Sequence, residues 1–268
     1  MEIINKQLKP AHITHALFDF DGTISSIREG WQKIMVPMMV DELMETPRHE
    51  ERSDVERIVK GYVDELTGKQ TMYQMLRFVE EIEERGGKAK TALEYKHRYL
   101  DLLNEHISER LHELELGKVS PERHMIAGSR PFLELLQKKG ISCYLASGTD
   151  EQFVIREAQL LGVADFFKAL WGAKDEHLSF SKKIAIERIL DQQNLSGDNL
   201  VVFGDGYVEI QEAKAHGAIA VGIASDEQTR SEIDPAKRER LIRAGADVIV
   251  GDFTNAEDLT GFLWSNTL

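Results

Sequence analysis

Asp19 and Asp21 stand two residues apart where an apolar run ends, in HALFDFDGTISS (15–26). Successive side chains on a strand alternate faces, so these carboxylates share one face while Phe18 and Phe20 share the other. Carboxylates so close repel each other and lose hydration, and a cation, solvent at a loop mouth, or both must offset that. A strand end with solvated turn acids is the plain alternative. It explains one aspartate more readily than a D-x-D-G-T run. Gly22 lets the chain turn sharply just beyond them. Similar groups recur downstream: Ser147, Gly148 and Thr149 in YLASGT (144–149), Lys182 and Lys183 after Ser181, and Asp205 with Glu209 in FGDGYVEI (203–210). Each type has a chemical use. Clustered carboxylates hold Mg²⁺, which keeps waters and takes phosphate oxygens. A carboxylate can attack phosphorus. A lysine neutralises phosphate oxygens as a point charge. A serine hydroxyl with backbone N–H groups at a helix start holds them. These parts suit phosphoryl transfer, in which positioning and charge stabilisation dominate.

Bringing the groups together requires strands that end side by side. Residues 13–20 read as a buried strand. After Gly22, roughly 95 residues carry helical pattern without a convincing strand, in pieces at about 28–45, 51–66, 70–85 and 88–116. LTGKQT (66–71) breaks two of these helices apart, and Tyr95, Tyr99, Leu102, Leu103, Ile107, Leu111 and Leu114 form an apolar stripe on the last. From about residue 120 strands and helices alternate. Ser129 and Pro131 open a helix, and strands follow at 141–146, 168–171, 199–203, 219–223 and 247–250. Helices are expected at 150–162, with Thr149 or Asp150 as cap, and at 181–193, 207–216, 235–244 and 256–264. This alternation predicts an α/β fold: a Rossmann-like, doubly wound parallel sheet covered on both faces, interrupted by an all-helical insertion. The expected division is a core of residues 1–24 and 119–268 and a helical domain of 25–118. Ligands of such sheets bind beyond the carboxyl ends of the strands, where every group named above falls.

Bulk properties narrow the partners. A net charge of −13 argues against nucleic acid and against an anionic membrane surface. It leaves room for a small anionic substrate, because a metal and a few local cations can reverse the local field. No run of about 18 apolar residues suggests a membrane span. The first residues lack the apolar centre of a secretion signal, so a cytoplasmic location is expected. Cys143 is the sole cysteine, which excludes an internal disulfide, and its apolar surroundings suggest a buried thiol. The nine histidines show no H-x-x-x-H pair. Trp31, Trp171 and Trp264 read as packing residues.

The four motifs in order, FDFDGT (18–23), YLASGT (144–149), SKK (181–183) and FGDGYVEI (203–210), resemble those of the haloacid dehalogenase (HAD) superfamily of hydrolases. The resemblance runs from about residue 10 to 264, and the helical insertion resembles the cap domain that many members carry there. It implies that Asp19 is the nucleophile and Asp21 the general acid/base. Ser147 matches the phosphate-binding hydroxyl. Asp205 matches the acid that holds Mg²⁺ together with Asp19 and the backbone carbonyl of Asp21. Glu209 matches the second acid of the fourth motif, more often an aspartate, and its extra length suits contact with the metal through a water. Lys182 fits the motif lysine better than Lys183, because Ile186 and Ile189 give it an apolar face; both remain candidates. Thr23 and Gly148 belong with the phosphate-binding set. Arg28, Trp31 and Lys69 sit in or near segments that face the site in similar capped members. GKQT (68–71) looks like a cap specificity loop, with a plain helix–helix turn as the alternative.

The function this implies is an Mg²⁺-dependent phosphatase of a small phosphorylated metabolite, with a sugar or polyol phosphate as first guess. A cap closing over the site excludes water and bulky substrates. A phosphomutase on the same fold is the nearest rival, and Thr23 leans toward hydrolysis. A dehalogenase fits less well, since a halide leaving group needs no proton from Asp21. A catalytically retired member that binds or regulates partners is the rival from another class; the intact acid set stands against it.

Overall fold

The computed structural model describes residues 1–8, 12–175, 180–226 and 232–264. Its strands are β1 (Glu2–Ile3), β2 (His15–Phe18), β3 (Ser142–Asp150), β4 (Phe167–Ala173), β5 (Leu200–Gly204), β6 (Ile219–Ile223) and β7 (Val248–Val250). They form one sheet in the order β1-β7-β6-β5-β2-β3-β4. All pairings are parallel except β1, which runs antiparallel to β7. β2 is central, with His15 level with Ser142 on one side and Leu200 on the other. The carboxyl ends of β2, β3 and β5 therefore lie side by side.

Alternation along these strands feeds two apolar layers. Phe18, Phe203 and Val221 join Phe132 and Phe253 on one face. The Phe18 and Phe203 rings stack with centroids 4.6 Å apart, and Phe132 stacks on Phe253 at 4.7 Å. Leu17, Val202 and Ala220 join Ile186, Ile189, Ile210 and Leu241 on the other. The helices that cover the sheet are α5 (Ser129–Lys138), α6 (Glu151–Leu160), α7 (Lys182–Gln193), α8 (Tyr207–Ala215), α9 (Pro235–Ala244) and α10 (Ala256–Leu263), numbered after four that precede them. Those four, α1 (Gln32–Met44), α2 (Arg52–Glu65), α3 (Thr71–Glu84) and α4 (Ala92–Glu115), lie between β2 and β3 and pack on one another.

The elements depart from the sequence expectation in physical detail. β2 ends at Phe18, two residues early, although the Asp19 amide still donates to the Phe203 carbonyl at 2.9 Å. β3 runs three residues longer than expected and carries Ser147 to Asp150 within the strand, with irregular register against β4. α4 starts at Ala92 because Thr91 and Glu94 form a reciprocal capping box. Its buried stripe takes Leu100 in place of Leu102, whose side chain is 37% exposed. β1 has two residues, too few to show a pattern. No helix among the described residues is long and apolar enough to cross a membrane.

Cys143 is buried on β3, and desolvation pushes its thiol up to about 12. The native protein is therefore expected to resist alkylation by iodoacetamide at pH 8 and to react only in denaturant. Mass spectrometry of the two samples checks this, and rapid labelling of the native chain would contradict the burial.

Candidate active site

Three acids converge where β2 and β5 end. Oxygens of Asp19, Asp205 and Glu209 all lie within 4.8 Å of one another. Asp19 follows β2 directly. Asp205 follows β5, and the Gly22 turn packs on it so closely that a Cβ there would sit 2.2 Å from Asp205 Oδ2. Gly22 also has φ 75°, so it serves both the turn and the approach. Glu209, in the first turn of α8, folds back: its Oε1 accepts from the Gly206 amide at 2.7 Å. The space it folds into exists because residues 204 and 206 lack side chains. A Cβ on Gly204 would lie 2.2 Å from Glu209 Cγ. Gly204→Ala is therefore expected to push Glu209 out of place and to cost about 1–3 kcal/mol through overpacking. Thermal denaturation of the variant checks it, and a stability equal to wild type would refute the crowding argument.

Two ammonium groups answer the three carboxylates. Lys182 Nζ donates to Asp19 Oδ1 at 2.7 Å and to Glu209 Oε2 at 2.8 Å. Lys237, on α9, reaches Asp205 Oδ2 at 3.0 Å. Burial pushes the Asp19 carboxyl up; Lys182 opposes that, while Glu209 and Asp205 reinforce it. Burial likewise disfavours the charge on Lys182, yet Asp19 and Glu209 outweigh it and hold its pKa above the usual lysine value. The donor set is entirely hard oxygen, which suits a divalent cation such as Mg²⁺ or Ca²⁺.

Asp21 faces elsewhere. Its Oδ2 accepts from Thr149 Oγ1 at 2.8 Å and from Ser147 Oγ at 3.3 Å, while Oδ1 lies 4.0 Å from Arg28 Nε. Burial raises its pKa, against Arg28 and the Thr149 hydroxyl. Ser147 Oγ also accepts from the Thr149 amide at 3.1 Å. Arg28 is buried and held by Glu157 of α6, with Nη2 2.6 Å from Oε1 and its guanidinium over the Phe153 ring. A cavity of about 110 Å³ joins these groups to the four-helix insertion, lined by Asp19, Asp21, Ser147, Gly148, Lys182 and Asp205, by Arg28 beside Asp21, and by Trp31 and Lys69 of the insertion. Gly148 permits the approach, since a Cβ there would lie 2.9 Å from the Lys69 carbonyl oxygen. Tyr207 Oη donates to the Glu65 carbonyl at 2.7 Å, and Gln70 Nε2 to the Phe180 carbonyl, tying the insertion down.

Two expected residues are not brought to the cleft. Lys183 turns to solvent on the outer face of α7, 3.7 Å from Glu187. It is Lys182, on the face shared with Ile186 and Ile189, that meets the acids. Thr23 is fully buried beneath the turn, and its hydroxyl has no hydrogen-bond partner among the described residues. Four others were not anticipated in this role. Thr149 stood inside a quoted motif but read as a helix cap. Glu157 and Lys237 are single charges on helices and carry no signal of their own. Lys96, equally unmarked, is buried on α4 with its amine 2.8 Å from Asp150 and 3.0 Å from Asp175.

The family model for haloacid dehalogenase-like hydrolases matches residues 13–217. No curated protein matches the chain. Among solved structures, one described as a predicted phosphoglycolate phosphatase from Haemophilus somnus 129pt aligns over 94% of this chain and 100% of its own, with TM-score 0.61 and 16% identity. A predicted phosphatase from Clostridium acetobutylicum aligns over 92% and 98%, with TM-score 0.60 and 18% identity. A β-phosphoglucomutase from Clostridium difficile aligns over 91% and 92%, with TM-score 0.59 and 14% identity. At such identities the likeness to these three is one of fold.

Proposed function

The chain belongs to the haloacid dehalogenase-like hydrolase family, and from that premise we propose that it is an Mg²⁺-dependent phosphatase of small phosphorylated metabolites, sugar or polyol phosphates first among them. The observation that carries this reading is the contrast between the two aspartates. Asp19 sits among acids against Lys182, while Asp21 sits against two hydroxyls.

In this mechanism an Asp19 oxygen attacks phosphorus and the bond from phosphorus to the ester oxygen breaks, giving an aspartyl-phosphate. Asp21, protonated at the start, gives its proton to the departing alkoxide. Burial, which raises its pKa, favours that starting state. Asp21 then takes a proton from water as the water oxygen attacks phosphorus. The phosphorus–Asp19 bond breaks and inorganic phosphate leaves. Thr149 and Ser147 hold the Asp21 carboxyl in line. Lys182 offsets charge on the phosphoryl oxygens. Mg²⁺ held by Asp19 and Asp205, with Glu209 as the third acid and the Asp21 carbonyl as a further ligand, would supply positive charge to the transferring group. The insertion, taken as residues 25–118, would cover the reacting centre and keep bulk water out.

The test is phosphate release from a panel of small phosphoesters with Mg²⁺ and with EDTA. Release that EDTA abolishes is the expected result. Release that needs a bisphosphate activator would favour a phosphomutase. Silence of the folded protein on every ester would favour a partner-binding role.

A further inference from the structure

The cleft's lining says more about the alcohol part of the substrate than the motifs do. Its cations are Arg28, Lys69 and Lys182. Arg28 is committed to Glu157 at 2.6 Å, and Lys182 to Asp19 and Glu209. Lys69 has no acid partner among the described residues, and its loop packs on Gly148, next to Ser147 on the phosphate side. Lys182 and an Mg²⁺ on the three acids would largely offset those acids' own charge, so a phosphate dianion beside Ser147 would also engage Lys69, which leaves no unpaired cation for a second anionic group. The insertion's side of the cleft carries an apolar patch, Met35 and Trp31 at its start and Leu100 and Leu103 on α4, alongside polar Glu29, Thr67 and Thr71. Two further polar residues on that side are largely buried. Gln74 and Tyr99 are each 4% exposed and line the cleft, and neither has a hydrogen-bond partner among the described residues. Their polar atoms open onto the cavity with no protein partner among the described residues, so a ligand oxygen placed there can pair with both. A carboxylate placed on this side would lose its hydration, and the nearby Arg28 is already neutralised by Glu157.

We propose, resting on the phosphatase reading above, that the cleft selects monoesters whose leaving alcohol is uncharged, with an apolar face and a hydrogen-bonding oxygen. The apolar face lies against Met35, Leu100 and Leu103. The oxygen lies between Gln74 and Tyr99. Esters carrying a second anionic group are rejected.

The test compares kcat/KM on phosphoglycolate with that on its uncharged carboxamide, 2-amino-2-oxoethyl phosphate, an ester of nearly the same shape. Butyl phosphate serves as the apolar comparator and 4-nitrophenyl phosphate as a check on the chemistry. The carboxamide is expected to be favoured over phosphoglycolate by about 10-fold or more, and over butyl phosphate by a similar factor. Gln74→Leu is expected to erase most of the carboxamide's advantage over butyl phosphate. Leu100→Arg is expected to reverse the preference between carboxamide and phosphoglycolate. Turnover with phosphoglycolate equal or preferred overturns the inference and leaves the phosphatase reading standing. No release from any ester, 4-nitrophenyl phosphate included, overturns that reading and the inference with it.

Discussion

Replacing Asp19 with asparagine is expected to lower turnover on any accepted ester by about 10⁴-fold or more, because it removes the attacking atom itself. Asparagine has the shape of aspartate, so the site need not rearrange. Its amide oxygen is a poor nucleophile and carries no charge. The effect on stability should be far smaller. Asp19 is buried beside Asp205 and Glu209, and losing its charge relieves that crowding. Lys182 loses one partner but keeps Glu209 at 2.8 Å. The two changes oppose each other, so the thermal midpoint should move little while activity vanishes. Single-turnover phosphate release and a melting curve on the same preparation check both halves. Residual activity above a tenth of wild type would remove Asp19 from the nucleophile's role.

What the sequence shows of this site follows from where its residues stand. Asp19, Ser147 and Asp205 sit in motifs after, or at the end of, buried apolar runs, and such runs read as strands whatever surrounds them. Parallel order then brings their ends together. The choice between Lys182 and Lys183 is a matter of helix phase: Lys182 shares a face with Ile186 and Ile189, and that face is the buried one. The same logic misses one residue on α4, where Leu100 rather than Leu102 turns inward. The residues that escape are those defined by a distant partner. Glu157 lies 129 positions from its partner Arg28 and Lys96 lies 79 from Asp175, and Glu157 and Lys96 each alone look like an exposed helix charge. Thr23 escapes for the opposite reason: its motif suggests the cleft, while the tightness of the turn buries its hydroxyl below it.

Lys182→Met is the variant expected to damage stability most. Lys182 is buried, and its amine answers two buried carboxylates at 2.7 and 2.8 Å. Methionine keeps the length and apolar stem but leaves Asp19 and Glu209 facing each other with no cation between them, while Asp205 keeps Lys237. Removing one partner of a buried ion pair costs about 3–5 kcal/mol, which for a chain of this size lowers the midpoint by on the order of 10 °C. Lys183→Met supplies the contrast. That side chain is solvated on the outer face of α7, and its loss should stay within about 0.5 kcal/mol. Divalent cation distinguishes charge from packing as the cause. If the loss comes from uncompensated acids, Mg²⁺ should restore part of it, by about 2.7 kcal/mol at a hundredfold excess over the dissociation constant. The same ion should stabilise wild type less, because Lys182 already holds two of the three acids. A packing defect would instead leave the gap between variant and wild type unchanged by Mg²⁺. The melting curves, taken with Mg²⁺ and with EDTA, thus test whether ammonium and metal answer the same carboxylates.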